Sequence, residues 1–462
     1  MTSYPPDPLE QGGIANFAED LREGRTTSAK TTRAYLDRID ALDHKLGAYQ
    51  HVAAEQAMAA AEAIDGLLAA GTDLGPLMGV PVGIKDIYAV DDMPITNGSL
   101  YDAADVTGPE GRFVHGLRQA GCVILGKTKT VEFALGGTGV SVARGTPWNP
   151  WDLEIPRTPG GSSSGSGVAT AAGLCAFAMG SDTGGSVRIP ACLNGIFGHK
   201  TTIGLLPTDG VFPLSPTLDT LGPLTKSAAD ASIIHAMVTG DDIPSPAPLR
   251  GLRLGKPTTF FFDDEVCDSV VLSCVDAALE SLAGAGVEIV DVDIPDPNER
   301  DWLFPAICPP ELLAALGENG FKQARPNMDP VIGARAEKGF EVTGLQHAAA
   351  VTRHHELAAL ADDAFEGLDG WVAPTCPFLP LPIDEFSDEI LLARSVLMSR
   401  NCQPGNLFRL CAVSTPVHHF GSALPVGLQI ICRNGDDPHV LAIAMAIESH
   451  FGISARPDLS GI

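Results

Sequence analysis

Residues 157–167 read RTPGGSSSGSG, four serines and four glycines in eleven positions, followed at once by the small apolar segment VATAAG. Glycines let the backbone bend sharply and serines cap helices, so the stretch reads as a loop that opens a helix. Gly161 to Gly165 also satisfies G-x-S-x-G, the pattern that would make Ser163 the nucleophile of an α/β-hydrolase. Its context argues otherwise, because a nucleophile elbow follows a buried strand, whereas the preceding EIPRTP is polar and twice broken by proline.

On either side of this loop, short apolar runs alternate with glycine turns and helical patterns: GVPVGIKDIYAV (79–90), FVHGLRQAGCVILGKT (113–128) and GVATAAGLCAFAMGSDTGGS (167–186). Such alternation predicts an α/β core on a parallel or mixed sheet. Upstream, residues 16–70 are alanine-rich with helical spacing, and Thr26, Thr27 and Ser28 can cap a helix. Downstream, DDIPSPAPLRG (241–251) reads as a break. Strands are expected at LRLGKP (252–257) and GVEIVDVDIP (286–295), around a helix near residues 271–286. Residues 301–370 are mostly helical, DGWVAPTCP (369–377) returns to the core, and the chain closes with a strand in PVGLQIIC and an amphipathic helix over 437–451. The expected division is a helical layer (1–75), a core (76–240), a variable region (241–370) and a return to the core (371–462), all in one large domain.

Acidic residues outnumber basic ones 57 to 30, a net charge of -27 that repels nucleic-acid phosphates and anionic membrane surfaces alike. Nucleic acid and membrane are therefore not expected partners. Ten cysteines stand singly with no C-x-x-C pair, as buried thiols in a reducing compartment do. With no secretory pattern in MTSYPPDPLEQGG and no apolar run long enough to span a bilayer, a cytoplasmic location is expected.

Three further motifs bear on chemistry. GCVILGKT (121–128) matches the P-loop letters, but Cys122–Leu125 is itself strand-like, which would consume the backbone N–H groups that a phosphate needs. In GSDTGGSVRIP (180–190), the N–H groups of Thr183, Gly184, Gly185 and Ser186 can converge on one point, as an oxyanion hole requires, or they can form a tight turn. Lys85 interrupts an apolar segment in GVPVGIKD; it either pairs with Asp86 or another carboxylate, or loses its proton through burial and becomes a base. No S-x-x-K and no H-E-x-x-H occurs, so neither a penicillin-binding Ser/Lys site nor a zinc-protease site is supported, and no metal or cofactor is expected.

Taken together, GVPVGIKD, TPGGSSSGSGVATAAG and GSDTGGSVRIPACLNGIFGHKTT resemble the amidase signature family, with separations of 77 from Lys85 to Ser162 and 24 from Ser162 to Ser186. The resemblance implies a large mixed β-sheet covered by helices on both faces and a Ser-cisSer-Lys serine hydrolase. By residue-wise match, Ser186 would be the nucleophile, Ser162 the relay on a cis peptide after Gly161, and Lys85 the base. Ser163 would support the loop, and Asp182 and Arg188 would brace it as an ion pair; some members instead turn the matching arginine toward an acidic substrate. The expected reaction is hydrolysis of a small-molecule amide through an acyl-Ser186 ester, with carbamate, allophanate or ester hydrolysis as alternatives. A third alternative is the glutaminase subunit of a tRNA amidotransferase, against which SVRIP counts, since that branch usually reads S-I-R-Q-P. Many relatives are homodimers, so a homodimer is the assembly the resemblance implies. Trp302, Phe304, Trp371, Phe378 and Phe408 are candidate pocket aromatics, each of which could equally be core.

Overall fold

A computed structural model describes residues 4–10, 12–384, 386–452 and 454–462. Among them, eleven strands form one sheet. In chain order these are β1 (Tyr49–Val52), β2 (Pro81–Lys85), β3 (Val123–Thr128), β4 (Phe177–Asp182), β5 (Phe197–Lys200) and β6 (Thr220–Thr225), then β7 (Arg253–Pro257), β8 (Glu288–Val292), β9 (Gly370–Pro374), β10 (Cys411–Pro416) and β11 (Gly427–Cys432). Their spatial order is β1-β3-β2-β4-β6-β5-β10-β11-β9-β7-β8. The sheet is mixed: β3-β2-β4 and β9-β7-β8 run parallel, and the pairs between β4 and β9 run antiparallel.

Helices cover both faces. One extensive apolar cluster joins the N-terminal helices Gly13–Arg22, Ser28–Leu46 and Ala54–Ala69 to β2, β3, β4 and the long helix Arg300–Ala324. A second packs Val413, Leu428 and Ile430 of the central strands against helices Ala228–Thr239, Ser269–Gly284 and Asp437–Phe451. All ten cysteines are buried and unpaired, as expected, and among the described residues no helix is long and apolar enough to cross a membrane.

The helical reading of residues 16–70 needs one correction. Tyr49–Val52 is a strand between two helices, pairing antiparallel with β3 in the register Tyr49↔Thr128 and Val52↔Gly126. Four residues carry too little periodicity to announce themselves; the unsatisfied edge of β3 recruits them. The P-loop letters fold as the context demanded, with Val123–Thr128 fully buried in the sheet.

Candidate active site

β2 ends at Lys85, and its parallel register with β4 (Ile84↔Met179) brings the lysine beside the end of that strand. Lys85 is wholly buried and forms no ion pair among the described residues. Its Nζ donates to Ser162 Oγ at 2.7 Å and to Ser181 Oγ at 2.9 Å. Asp86, the partner a solvent-facing lysine would have taken, accepts instead from Lys127 Nζ at 2.9 Å, the lysine of the P-loop look-alike. Burial pulls the Lys85 pKa down to about 7, against the pull of Asp219 and Asp182 to raise it. At neutral pH a large fraction of Lys85 is therefore an amine able to accept a proton.

The Gly161–Ser162 peptide is cis. The loop around it is held by backbone bonds: Gly160 N–H to Thr138 O (3.0 Å), Gly161 N–H to Gly137 O (2.8 Å) and Val131 N–H to Ser162 O (3.1 Å). A Cβ on Gly161 would lie 2.5 Å from Gly136 O and 2.7 Å from Gly139 N, so the neighbouring backbone leaves no room for any other residue. Ser163 precedes helix Ser164–Ala171; its N–H donates to Ser186 O (3.3 Å) and its hydroxyl to Ser181 O (3.3 Å). Ser163 thus ties the two serine-bearing loops together and is buried, a position for support rather than attack.

Asp182, at the end of β4, organises the second loop. Its carboxylate accepts the N–H groups of Gly185 (2.8 Å), Val187 (3.2 Å) and Arg188 (3.4 Å) together with the Arg188 guanidinium at 2.9 and 3.0 Å. Burial pushes this carboxyl up, yet Arg188, Lys200 and Asn406 together hold it well below the ordinary carboxylate range. Arg188 is itself fully buried and donates also to Gln429 Oε1 (2.5 Å) and Asn406 Oδ1 (2.6 Å). Every guanidinium nitrogen is thereby bonded within the protein, and the residue is occupied as a brace. Gly185 leaves the set of four oxyanion donors expected from sequence, because its N–H is committed to Asp182; the N–H groups of Thr183, Gly184 and Ser186 are not bonded to that carboxylate.

Ser186 opens into a small pocket lined by Leu135, Ile189, Leu214, Phe304 and Arg335. Of the five candidate aromatics only Phe304 reaches it. Trp371 stacks on Phe365 in the core at 4.1 Å, Phe408 is buried in the same core, Phe378 is buried in a smaller cluster, and Trp302 is 45% exposed.

Three side chains of the site were not foreseen. Ser181 is the second acceptor of Lys85. Asp219 accepts Thr183 Oγ1 at 2.5 Å and the Ser215 N–H at 2.9 Å, and burial lifts its pKa to about 7. Arg335 donates to Leu135 O (3.3 Å) and Ser395 Oγ (3.1 Å) and pairs with no carboxylate among the described residues. Ser181 stood one strand-register step from Lys85 and could have been placed by it. Asp219 and Arg335 lie in segments without a local signature and arrive only through the fold.

A family model for amidases matches residues 30–441, most of the chain. The chain belongs to the amidase family. It is an amidase, a hydrolase acting on C–N bonds. It is 35% identical over 457 residues to the 2-amino-5-chloromuconic acid deaminase of Comamonas testosteroni, covering 96% of this chain and 98% of that one. Similarity also extends to a glutamyl-tRNA(Gln) amidotransferase component of Geobacter metallireducens, 34% identical over 94% of this chain and 96% of that protein. Among solved structures, the native peptide amidase from Stenotrophomonas maltophilia superposes with a TM-score of 0.83 at 27% identity, covering 98% of this chain and 99% of that one.

Proposed function

We propose that this amidase hydrolyses a small carboxylate-bearing amide through an acyl-Ser186 intermediate, with Ser162 as proton relay and Lys85 as base. The observation that carries the mechanism is the buried Lys85 Nζ, 2.7 Å from Ser162 Oγ with no counter-ion, which supplies a base where ordinary lysine is an acid. Neutral Lys85 takes the Ser162 proton, Ser162 takes that of Ser186, and Ser186 Oγ attacks the carbonyl carbon. The N–H groups of Thr183, Gly184 and Ser186 receive the developing oxyanion. As the C–N bond breaks, the proton returns through Ser162 to the leaving nitrogen, releasing ammonia or an amine. Water then adds to the ester by the same relay and frees the acid.

The substrate class rests on Arg335. Burial pulls its pKa down from the usual arginine value, no carboxylate neutralises it among the described residues, and it faces the Ser186 pocket beside Phe304 and Leu135. A guanidinium so placed matches a planar carboxylate on the substrate. The similarity to a 2-amino-5-chloromuconic acid deaminase, whose named substrate is an acid, supports a carboxylated substrate. A glutaminase role within an amidotransferase is the second reading, supported by the 34% identity above, but Ile189 puts an apolar side chain in the pocket at the position where that branch usually reads glutamine.

The test is a panel of amides, carbamates and esters, each with and without a terminal carboxylate, assayed on the purified chain, with mass mapping of a trapped acyl-enzyme. The adduct is expected on Ser186, with carboxylated amides preferred. For those substrates alone, Arg335→Gln raises KM. An adduct on Ser163, or full turnover by Ser186→Ala, overturns the mechanism, and a preference for neutral amides overturns the substrate class. Activity only in the presence of partner proteins favours the amidotransferase reading.

A further inference from the structure

Away from the Ser186 pocket, three buried side chains from three elements converge: His199 on β5, His235 on helix Ala228–Thr239, and Asp437, the first residue of helix Asp437–Phe451. A ligating atom from each lies within 4.8 Å of the others. His199 Nε2 and Asp437 Oδ1 are 3.0 Å apart, and the same oxygen accepts the Thr202 N–H at 3.0 Å. Yet four polar atoms here have no hydrogen-bond partner: His199 Nδ1, both ring nitrogens of His235, and Asp437 Oδ2. His235 is only 2% exposed, and the exposed Asp241 lies with Oδ2 3.4 Å from its Nε2, outside hydrogen-bond geometry. Buried polar atoms are almost always paired, so four orphans in one place call for a shared partner.

The geometry points to a divalent transition-metal site formed by His199, His235 and Asp437. Two imidazoles and a carboxylate are borderline-soft N/O donors of the kind that bind zinc, and three such ligands leave a fourth tetrahedral position for water. Ligands ~2.1 Å from a tetrahedral ion stand roughly 3.4 Å from one another, and ligating atoms that already lie within 4.8 Å of each other reach that spacing by small side-chain movements. The His235 ring, centred 5.7 Å from that of His199, closes in by a side-chain adjustment. The charges also suit: Asp437 supplies one negative charge, and Asp241 at the rim offers a second to a dication. None of the three ligands lines the Ser186 pocket, so the ion is structural. It fastens the central strand β5 to two helices that share the second apolar cluster. The nearby Lys200 Nζ is turned away, donating to Thr201 O and Leu410 O, and does not compete for the site.

The experiment uses the full-length purified chain, stripped with a chelator, dialysed against zinc ion and analysed for bound metal, with Co²⁺ substitution followed by visible absorption. One zinc per chain, tetrahedral cobalt bands and a zinc-dependent rise in Tm are expected. His235→Leu and Asp437→Asn, made separately in case one fails to fold, should each abolish the stoichiometric ion and the Tm response while leaving kcat in the metal-free enzyme unchanged. Wild-type protein that binds no zinc shows that water alone fills the cluster and overturns the proposal. So does unchanged stoichiometry in a folded variant, which places the metal elsewhere.

Discussion

Titrating the base gives the sharpest test of the proposed chemistry. With its pKa at about 7, Lys85 is ~10% neutral at pH 6 and ~90% neutral at pH 8, so kcat/KM for an uncharged amide rises about tenfold across that interval and then levels off. A lysine at its ordinary 10.5 gives instead a hundredfold rise, roughly, over the same interval, with no plateau below pH 10. Asp219 refines the test. In its ionised form Asp219 favours the protonated lysine, so Asp219→Asn should move the rising limb to lower pH. The assay is initial-rate kinetics between pH 5 and 10 on a substrate that does not itself ionise there, checked against circular dichroism at each pH. A limb that keeps climbing past pH 9 refutes a neutral buried lysine as base, and a limb that Asp219→Asn moves to higher pH refutes the electrostatic account of its tuning.

The same shift sets a stability prediction that follows activity in rising with pH. The unfolded chain keeps the lysine proton up to about pH 10.5 and the folded chain releases it near 7, so the destabilisation is complete below pH 7 and fades through that window. Its size is on the order of 5 kcal/mol, and Lys85→Met should be inactive yet gain more Tm over wild type at pH 6 than at pH 10; equal gains at both pH values contradict it. Gly161→Ala should fold poorly or lose all activity, since backbone atoms surround the added carbon, and normal turnover would show that the loop has room to shift. Arg188→Met leaves the Asp182 carboxylate buried and unpaired, at a cost of roughly 3–5 kcal/mol that a denaturant melt reads directly. Ser163→Ala removes two bonds to the Ser181 backbone, one donated to its carbonyl and one accepted from its N–H, and should keep most of kcat; complete loss would reopen the case for Ser163 as nucleophile.

Much of this site lay in contiguous motifs. Lys85, Ser162 and Ser186 each sit in a run whose small residues serve the chain's need for tight loops, and the pairing of β2 with β4 sets Lys85 beside the end of the strand that leads to Ser186. The double reading of Lys85 was harder, because pairing with Asp86 is the local expectation. Only the presence of Lys127 on the adjacent strand, 2.9 Å from Asp86, releases Lys85 from it. Gly185 shows the reverse limit: four consecutive N–H groups look equivalent in sequence, and the Asp182 carboxylate, three residues back, removes one.

The sequence by itself determined the alternation of strand and helix and the chemistry-bearing loops, because these depend on periodicity and on residue types within a few positions of one another; the class of reaction came from the resemblance of those loops to a family. The tertiary structure decided which charges meet. Arg188 became a brace because Gln429 and Asn406, more than two hundred residues away, close over it; Arg335 and Phe304 came to the pocket from a helical region with no motif; Tyr49–Val52 became a strand because an edge lay open to it. Burial and long-range pairing set proton affinities and free donors, and neither quantity is a property of any short stretch of chain.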